Sequence, residues 1–154
     1  MKFSLELRVP PVLLTLLTML LMWVVSFITP PVRMPGWFVR TAVMTCVTSA
    51  LAIGLAGVVA FRQAGTTVNP LAPDKCSRLV DSGIFRFTRN PMYLALLLAL
   101  TGWNFFLGNL LSLVLVFFWA FYIDRYQIRP EEEALETAFG EAFRQYRSKV
   151  RKWL

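Results

Sequence analysis

Two short strings hold most of the groups that could do chemistry: "FRFTRNPMY", residues 85–93, and "IRPEEE", residues 128–133. The first sets Arg86, Arg89, Asn90 and Tyr93 at the foot of an uncharged run, and the second places three carboxylates behind Pro130. Guanidinium, amide and carboxylate groups together suit a ligand that carries its own carboxylate, amine and sugar hydroxyls, because charge-assisted hydrogen bonds are the strong ones. The chain has no histidine, so it has no side chain with an unperturbed pKa near neutrality to act as general base. Its two cysteines, Cys46 and Cys76, fall in a helix and a loop. No disulfide is expected, and no metal set, since histidines are missing. Each string also has a plainer role. Asn90-Pro91 reads as N-cap and first helical position, and the glutamates as acids facing a positive helix end.

The elements that must carry these strings are set by composition. Of 154 residues, 56% are hydrophobic and 16% charged, with a mean hydropathy of +0.56; a soluble domain has about 25% charged residues. Three stretches lack charge: Val9–Val32, Thr41–Phe61 and Pro91–Ile123. About 20 helical residues cross a bilayer once, so the first two each fit one crossing. The third is too long for one, and "TGWNFFLGN", residues 101–109, supplies a turn within it. Four transmembrane helices are therefore expected, at about 10–29, 38–61, 91–106 and 108–124, the last two forming a helical hairpin.

Charge asymmetry agrees with that count. With an inward N-terminus, fourteen lysines and arginines fall on the inside and only Arg33 and Arg40 on the outside, as the positive-inside rule requires. The reading is a multi-pass protein of the inner (cytoplasmic) membrane with both termini cytoplasmic. Its net charge of +7 is orientation signal and attraction to anionic lipid headgroups. Nucleic acid is not an expected partner, since no basic module with interleaved aromatics remains to bind it. The first helix is too long, and lacks the small-residue cleavage site, for a removed signal peptide.

Two segments then lie on the cytoplasmic face. The loop 62–90 contains Gly65, Pro70, Pro73 and Gly83, a composition of fixed turns. The tail is expected as one amphipathic helix, 130–152. Leu135, Phe139, Phe143, Tyr146, Val150 and Trp153 form its apolar stripe, opposite Arg144, Arg147, Lys149, Arg151 and Lys152. The hairpin brings the chain back, so residues 89–93 and 124–132 become neighbours. The fold class is all-α, one integral membrane domain over residues 1–154.

"SRLVDSGIFRFTRNPMYLA" followed by "IRPEEEALETAFGEAFRQYRSKVRKWL" resembles the isoprenylcysteine carboxyl methyltransferase family, which overlaps in pattern with phospholipid N-methyltransferases. "FRQAGTTVNPLAP" looks like its bacterial members, so the resemblance runs from about Phe61 to the C-terminus. It implies S-adenosylmethionine as cofactor. It further implies cofactor contacts at Leu79, Val80 and Gly83, at Arg89, Asn90, Pro91 and Tyr93, and at Glu131 and Glu132. Three positions depart from the family: Asn90 for histidine, Ala95 for glycine, and Gln127 for the arginine of eukaryotic members. Arg125 and Arg129 are the candidate catalytic residues, as substrate-orienting cations in place of that arginine. The implied reaction is methyl transfer to a carboxylate or thiol of a lipophilic or lipidated substrate, a choice the missing histidine favours over amines. The alternatives are phospholipid or amine N-methylation, and a non-catalytic membrane protein of the same fold. Replacing Arg89 or Glu132 is expected to weaken cofactor affinity with little loss of folded protein.

Overall fold

Pro11 and Pro91 each open a helix, because a ring-fixed φ suits the first turn and the missing N–H is not needed there. The computed structural model describes residues 9–65 and 79–154. Lys2, Arg8, Pro70, Pro73, Lys75, Cys76, Arg78 and the middle of the 62–90 loop lie outside them. Helix α1 spans Pro11–Ile28 and α2 spans Gly36–Ala64, following Pro10 and Pro35. A 3-10 turn, Gly83–Arg86, precedes α3, Pro91–Leu107. Helices α4 (Leu110–Ile123), α5 (Arg129–Phe139) and α6 (Glu141–Lys149) complete the chain. Among the described residues there is no strand. Three helical segments are long and apolar enough to cross a membrane, Pro11–Ile28, Gly36–Ala64 and Leu110–Phe139, while α3 is a shorter apolar helix.

Helix α2 packs along α3, and α1 packs on α4 and α3. Lipid gives no hydrophobic drive between helices, so close backbone approach through small residues takes its place. A Cβ on Gly54 would lie 3.4 Å from that of Ala95, and one on Gly102 would lie 3.0 Å from that of Cys46. Ala95 is accommodated because its partner on α2 is a glycine. Between α3 and α4 the chain turns at Gly108, whose φ of 57° favours glycine. The Asn109 side chain caps α4 by accepting from Ser112 N at 3.0 Å. The same Asn109 donates to Thr29 Oγ1 at 2.5 Å, and Val32 N donates to Gly108 O at 2.6 Å, so the end of α1 is tied to this turn. Deeper in, Trp103 and Ser112 donate to the carbonyls of Met19 and Met22. These bonds surround a core of Met22, Tyr93, Leu100, Val116, Trp119 and Ile123.

The C-terminal third corrects the expected single helix 130–152. Helix α4 does not stop before Pro130; it runs on through a π-helical turn, Asp124–Ile128, directly into α5. Proline has no N–H to bond Tyr126 and its ring would strike that carbonyl. Widening the helix relieves the clash: Arg129 N reaches back five residues to Asp124 O. The helix breaks instead at Gly140, with φ of 52°, and α6 ends in an extended tail from Val150. The apolar stripe from Leu135 to Trp153 is thus carried by two helices and the tail, with Phe143 buried and Trp153 packed on the central core. Glu131 and Glu132 consequently do not face a free helix start. The loop before α3 holds an element of its own, the 3-10 turn. Asn90 stands at the cap position of α3, but its side chain does not cap the helix.

Candidate functional site

The two strings meet. Arg89, at the end of the segment entering α3, donates from Nη2 and Nε to Glu132 Oε1 on α5 at 2.8 and 3.0 Å. Both side chains are only 10% exposed. The remaining guanidinium nitrogen, Nη1, donates to the carbonyls of Val150 and, at 3.2 Å, of Arg147. One turn into α3, the buried Tyr93 hydroxyl donates to Glu131 Oε1 at 2.5 Å. Glu131 and Glu132 are adjacent, so they point away from the axis in different directions; one takes the tyrosine and the other the arginine. Glu133 is exposed.

Electrostatics distinguish the two carboxylates. Burial raises the Glu131 pKa to about 8, and the neighbouring negative charge of Glu132 adds to that, against the Tyr93 bond, which lowers it. Glu131 therefore keeps its proton across the acidic range and exchanges it near neutrality. The chain lacks histidine, yet it holds a group that titrates in the physiological range.

The tail supplies what the sequence strings do not announce. Arg89 N donates to Arg151 O at 3.0 Å, and Asn90 Nδ2 and Thr88 Oγ1 donate to Lys152 O at 3.0 and 3.3 Å. Lys152 Nζ lies 2.6 Å from Asp124 Oδ1 on the π turn, and Arg129 Nε donates to Asp124 Oδ2 at 3.0 Å. The segment before α3, the π turn and the tail are thus fastened at one place. Backbone carbonyls carry no residue signature, and the Asp124–Lys152 pair is a local one only after folding. Neither could be found from residue type.

Arg89, Asn90, Tyr93, Glu131 and Glu132 are therefore brought together, with Pro91 buried beside Gly57. Leu79, Val80 and Gly83 pack on the α2 and α6 side. Val80 is buried with Ala60 and Phe85, and Tyr146 of α6 donates to Phe85 O at 2.8 Å. Between this segment and α6 runs a groove of about 400 Å³ lined by Leu79, Asp81, Arg86, Gln145, Tyr146 and Lys149. Arg125 and Arg129 are exposed. Arg125 stacks over Tyr126, and Arg129 holds Asp124. Gln127 is fully buried; its Nε2 donates to Val9 O at 3.0 Å.

A family model described as phospholipid methyltransferase matches residues 38–142. A protein-S-isoprenylcysteine O-methyltransferase of Schizosaccharomyces pombe is 31% identical over 77% of this chain and 53% of its own length. One from Saccharomyces cerevisiae is 30% identical over 81% of this chain and 54% of its own. An uncharacterized protein of Haemophilus influenzae is 46% identical over its full length and 41% of this chain. The chain spans about half the length of the two yeast relatives. No solved structure matches it.

Proposed function

The chain belongs to the phospholipid methyltransferase family, and on that footing we propose that it is a membrane methyltransferase using S-adenosylmethionine. Its acceptor is the head of a lipophilic or lipidated molecule, a carboxylate or thiol, reached from the lipid. The observation that carries the reading is the meeting of the two strings as Arg89–Glu132 and Tyr93–Glu131 pairs beside the tail. The membrane crossings in this proposal are α1, α2, α3 and α4. Residues 62–90 and everything after Ile123 face the cytoplasm, as the charge asymmetry favours.

The donor set fits the cofactor. Glu131 and Glu132 are acceptors suited to an ammonium and to ribose hydroxyls, and Leu79 lines the neighbouring groove, with Val80 and Gly83 packed beside it against Ala60. The cofactor supplies an activated methyl group; the protein's share is alignment and exclusion of water. Arg89 and Asn90 are already bonded to Glu132 and the tail, so their part is to hold those walls in place. A second reading, transfer to an amine, draws on Glu131. A carboxyl exchanging its proton near neutrality can take the proton an ammonium must lose.

Calorimetric titration of the detergent-purified protein with S-adenosylmethionine and S-adenosylhomocysteine tests the proposal. Saturable one-site binding is expected. A demonstrably folded protein that binds neither, in detergent and again in lipid, would leave a non-catalytic member of the family.

A further inference from the structure

Arg89 is bonded on two sides. Its Nε and Nη2 hold Glu132 Oε1 at 3.0 and 2.8 Å, while Nη1 donates to Val150 O and, at 3.2 Å, to Arg147 O. Arg147 lies in the last turn of α6. Its carbonyl is one of those a helix leaves unpaired at its negative end, a place suited to a cation. A planar guanidinium engaged at all three nitrogens has no room to turn. The direction of Glu132 and the position of the tail carbonyls therefore fix each other through Arg89.

What holds those carbonyls is the tail after α6, and Lys152 joins it to both halves of the site. The Lys152 carbonyl accepts from Asn90 Nδ2 and Thr88 Oγ1, at the foot of α3. Its ammonium reaches the other way, to Asp124 Oδ1 on the π turn at 2.6 Å. Trp153 follows it into the core that contains Tyr93, Ile123 and Ile128. The segment 88–90 and the rod of α4, π turn and α5 are thus tied twice, through Arg89–Glu132 and through Lys152–Asp124. Eight residues separate Asp124 from Glu132, about 12 Å at the rise of a helix. One tie would leave a pivot; two ties this far apart set the angle as well as the distance. Lys152 and Asp124 are 29% and 22% exposed, so their pair contributes modestly to folding. Breaking it loosens the tail and leaves the bundle standing.

Resting on the methyltransferase reading above, we propose that Lys152 is a positioning residue for the cofactor site. Its ammonium, clasped on Asp124, keeps the tail carbonyls where Arg89 needs them, and Arg89 in turn presents Glu132 to the cofactor. A site assembled only while the tail is fastened binds in proportion to the fastened fraction. Loosening the clasp weakens affinity although Lys152 touches no ligand. By reciprocity, a bound ligand must fasten the tail.

The test uses the full-length protein and two readouts. Calorimetry with S-adenosylhomocysteine gives the affinity, and amide hydrogen exchange over residues 87–90 reports the Arg89 N to Arg151 O bond, hence the fastened tail. Lys152→Met keeps the stem and drops the charge; its affinity should be about fivefold weaker, with the melting temperature nearly unchanged. Lys152→Arg should restore the affinity. Arg144→Met, which removes an exposed ion pair on α6, should change neither readout. In the unaltered protein, S-adenosylhomocysteine should slow exchange over 87–90, and in Lys152→Met that exchange should be faster before ligand is added. Should Lys152→Met not fold, the ligand-dependent exchange of the unaltered protein reads the same coupling. Unchanged affinity in Lys152→Met would overturn the inference. So would a loss that arginine does not restore, or exchange over 87–90 that a saturating ligand leaves as it was. Absence of binding by the folded, unaltered protein would instead overturn the methyltransferase reading, and this inference with it.

Discussion

At the scale of single residues, the Arg89–Glu132 pair sets stability and affinity apart. The expectation that either residue could be removed with little loss of fold does not survive their geometry. Removing one partner of a pair this enclosed leaves a buried charge, a loss of about 3 kcal/mol. Arg89→Ala also strips donors from the tail carbonyls. The double replacement Arg89→Met with Glu132→Leu should recover much of the melting temperature yet bind S-adenosylhomocysteine at least tenfold more weakly. Thermal unfolding and calorimetry on the same preparations check both halves.

Glu131 gives a pH signature. Its folded pKa, about 8, lies above its ordinary 4.5. Between those values the folded chain keeps a proton that the unfolded chain has lost, so this group's contribution to stability falls as pH rises through that window and levels above it. Unfolding midpoints taken from pH 5 to 9 should show that slope, and Glu131→Gln should flatten it. A cationic ligand beside the carboxyl must displace the same proton. Affinity for S-adenosylmethionine should therefore climb toward tenfold per pH unit below about 8, with one proton released on binding.

Among the elements, the α2–α3 contact and the π turn make opposite demands. Gly102 stands where a Cβ would be 3.0 Å from Cys46 Cβ, whereas at Gly54 it would meet Ala95 at an ordinary 3.4 Å. Gly102→Ala should lower the melting temperature by several degrees, and Gly54→Ala should leave it nearly unchanged. Pro130 acts differently. Pro130→Ala restores the N–H that the π turn exists to do without. Closing that turn to α-helix rotates Asp124 relative to Glu131. The variant should melt no lower than the parent, while its affinity for S-adenosylhomocysteine falls. Bonds to the tail carbonyls from Arg89 N and from the Asn90 and Thr88 side chains explain how the last residues can matter to a site more than fifty positions upstream.

For the whole molecule, the ordering of charge gives the orientation prediction. Single cysteines placed at Arg33 and at Arg144, in a background with Cys46 and Cys76 replaced by serine, should label oppositely with an impermeant maleimide. In sealed, right-side-out spheroplasts the Arg33 site should react and the Arg144 site only after lysis. Reversal would invert the placement of the candidate site, and equal reactivity would break the four-crossing count.

Much of this was legible in the residues alone, for reasons of solvent and stereochemistry. Uncharged runs of span length, asparagine and glycine at 108–109, and proline at 91 dictate apolar helices, a turn and a helix start from local rules. The two polar strings stand out because charges are scarce in such a chain. Other features depended on contacts that are distant in sequence. Pro130 looks like a helix start and is instead a defect inside a continuous rod, because the apolar packing of α4 and α5 carries the helix past it. Asn90 looks like a cap, yet a tail carbonyl 62 residues away takes its amide. The raised Glu131 pKa arises from burial, where Tyr93 of α3 and the charge of Glu132 meet it. Burial and backbone acceptors have no one-residue signature, so the charged groups were in the sequence, while their partners were chosen only when the helices packed.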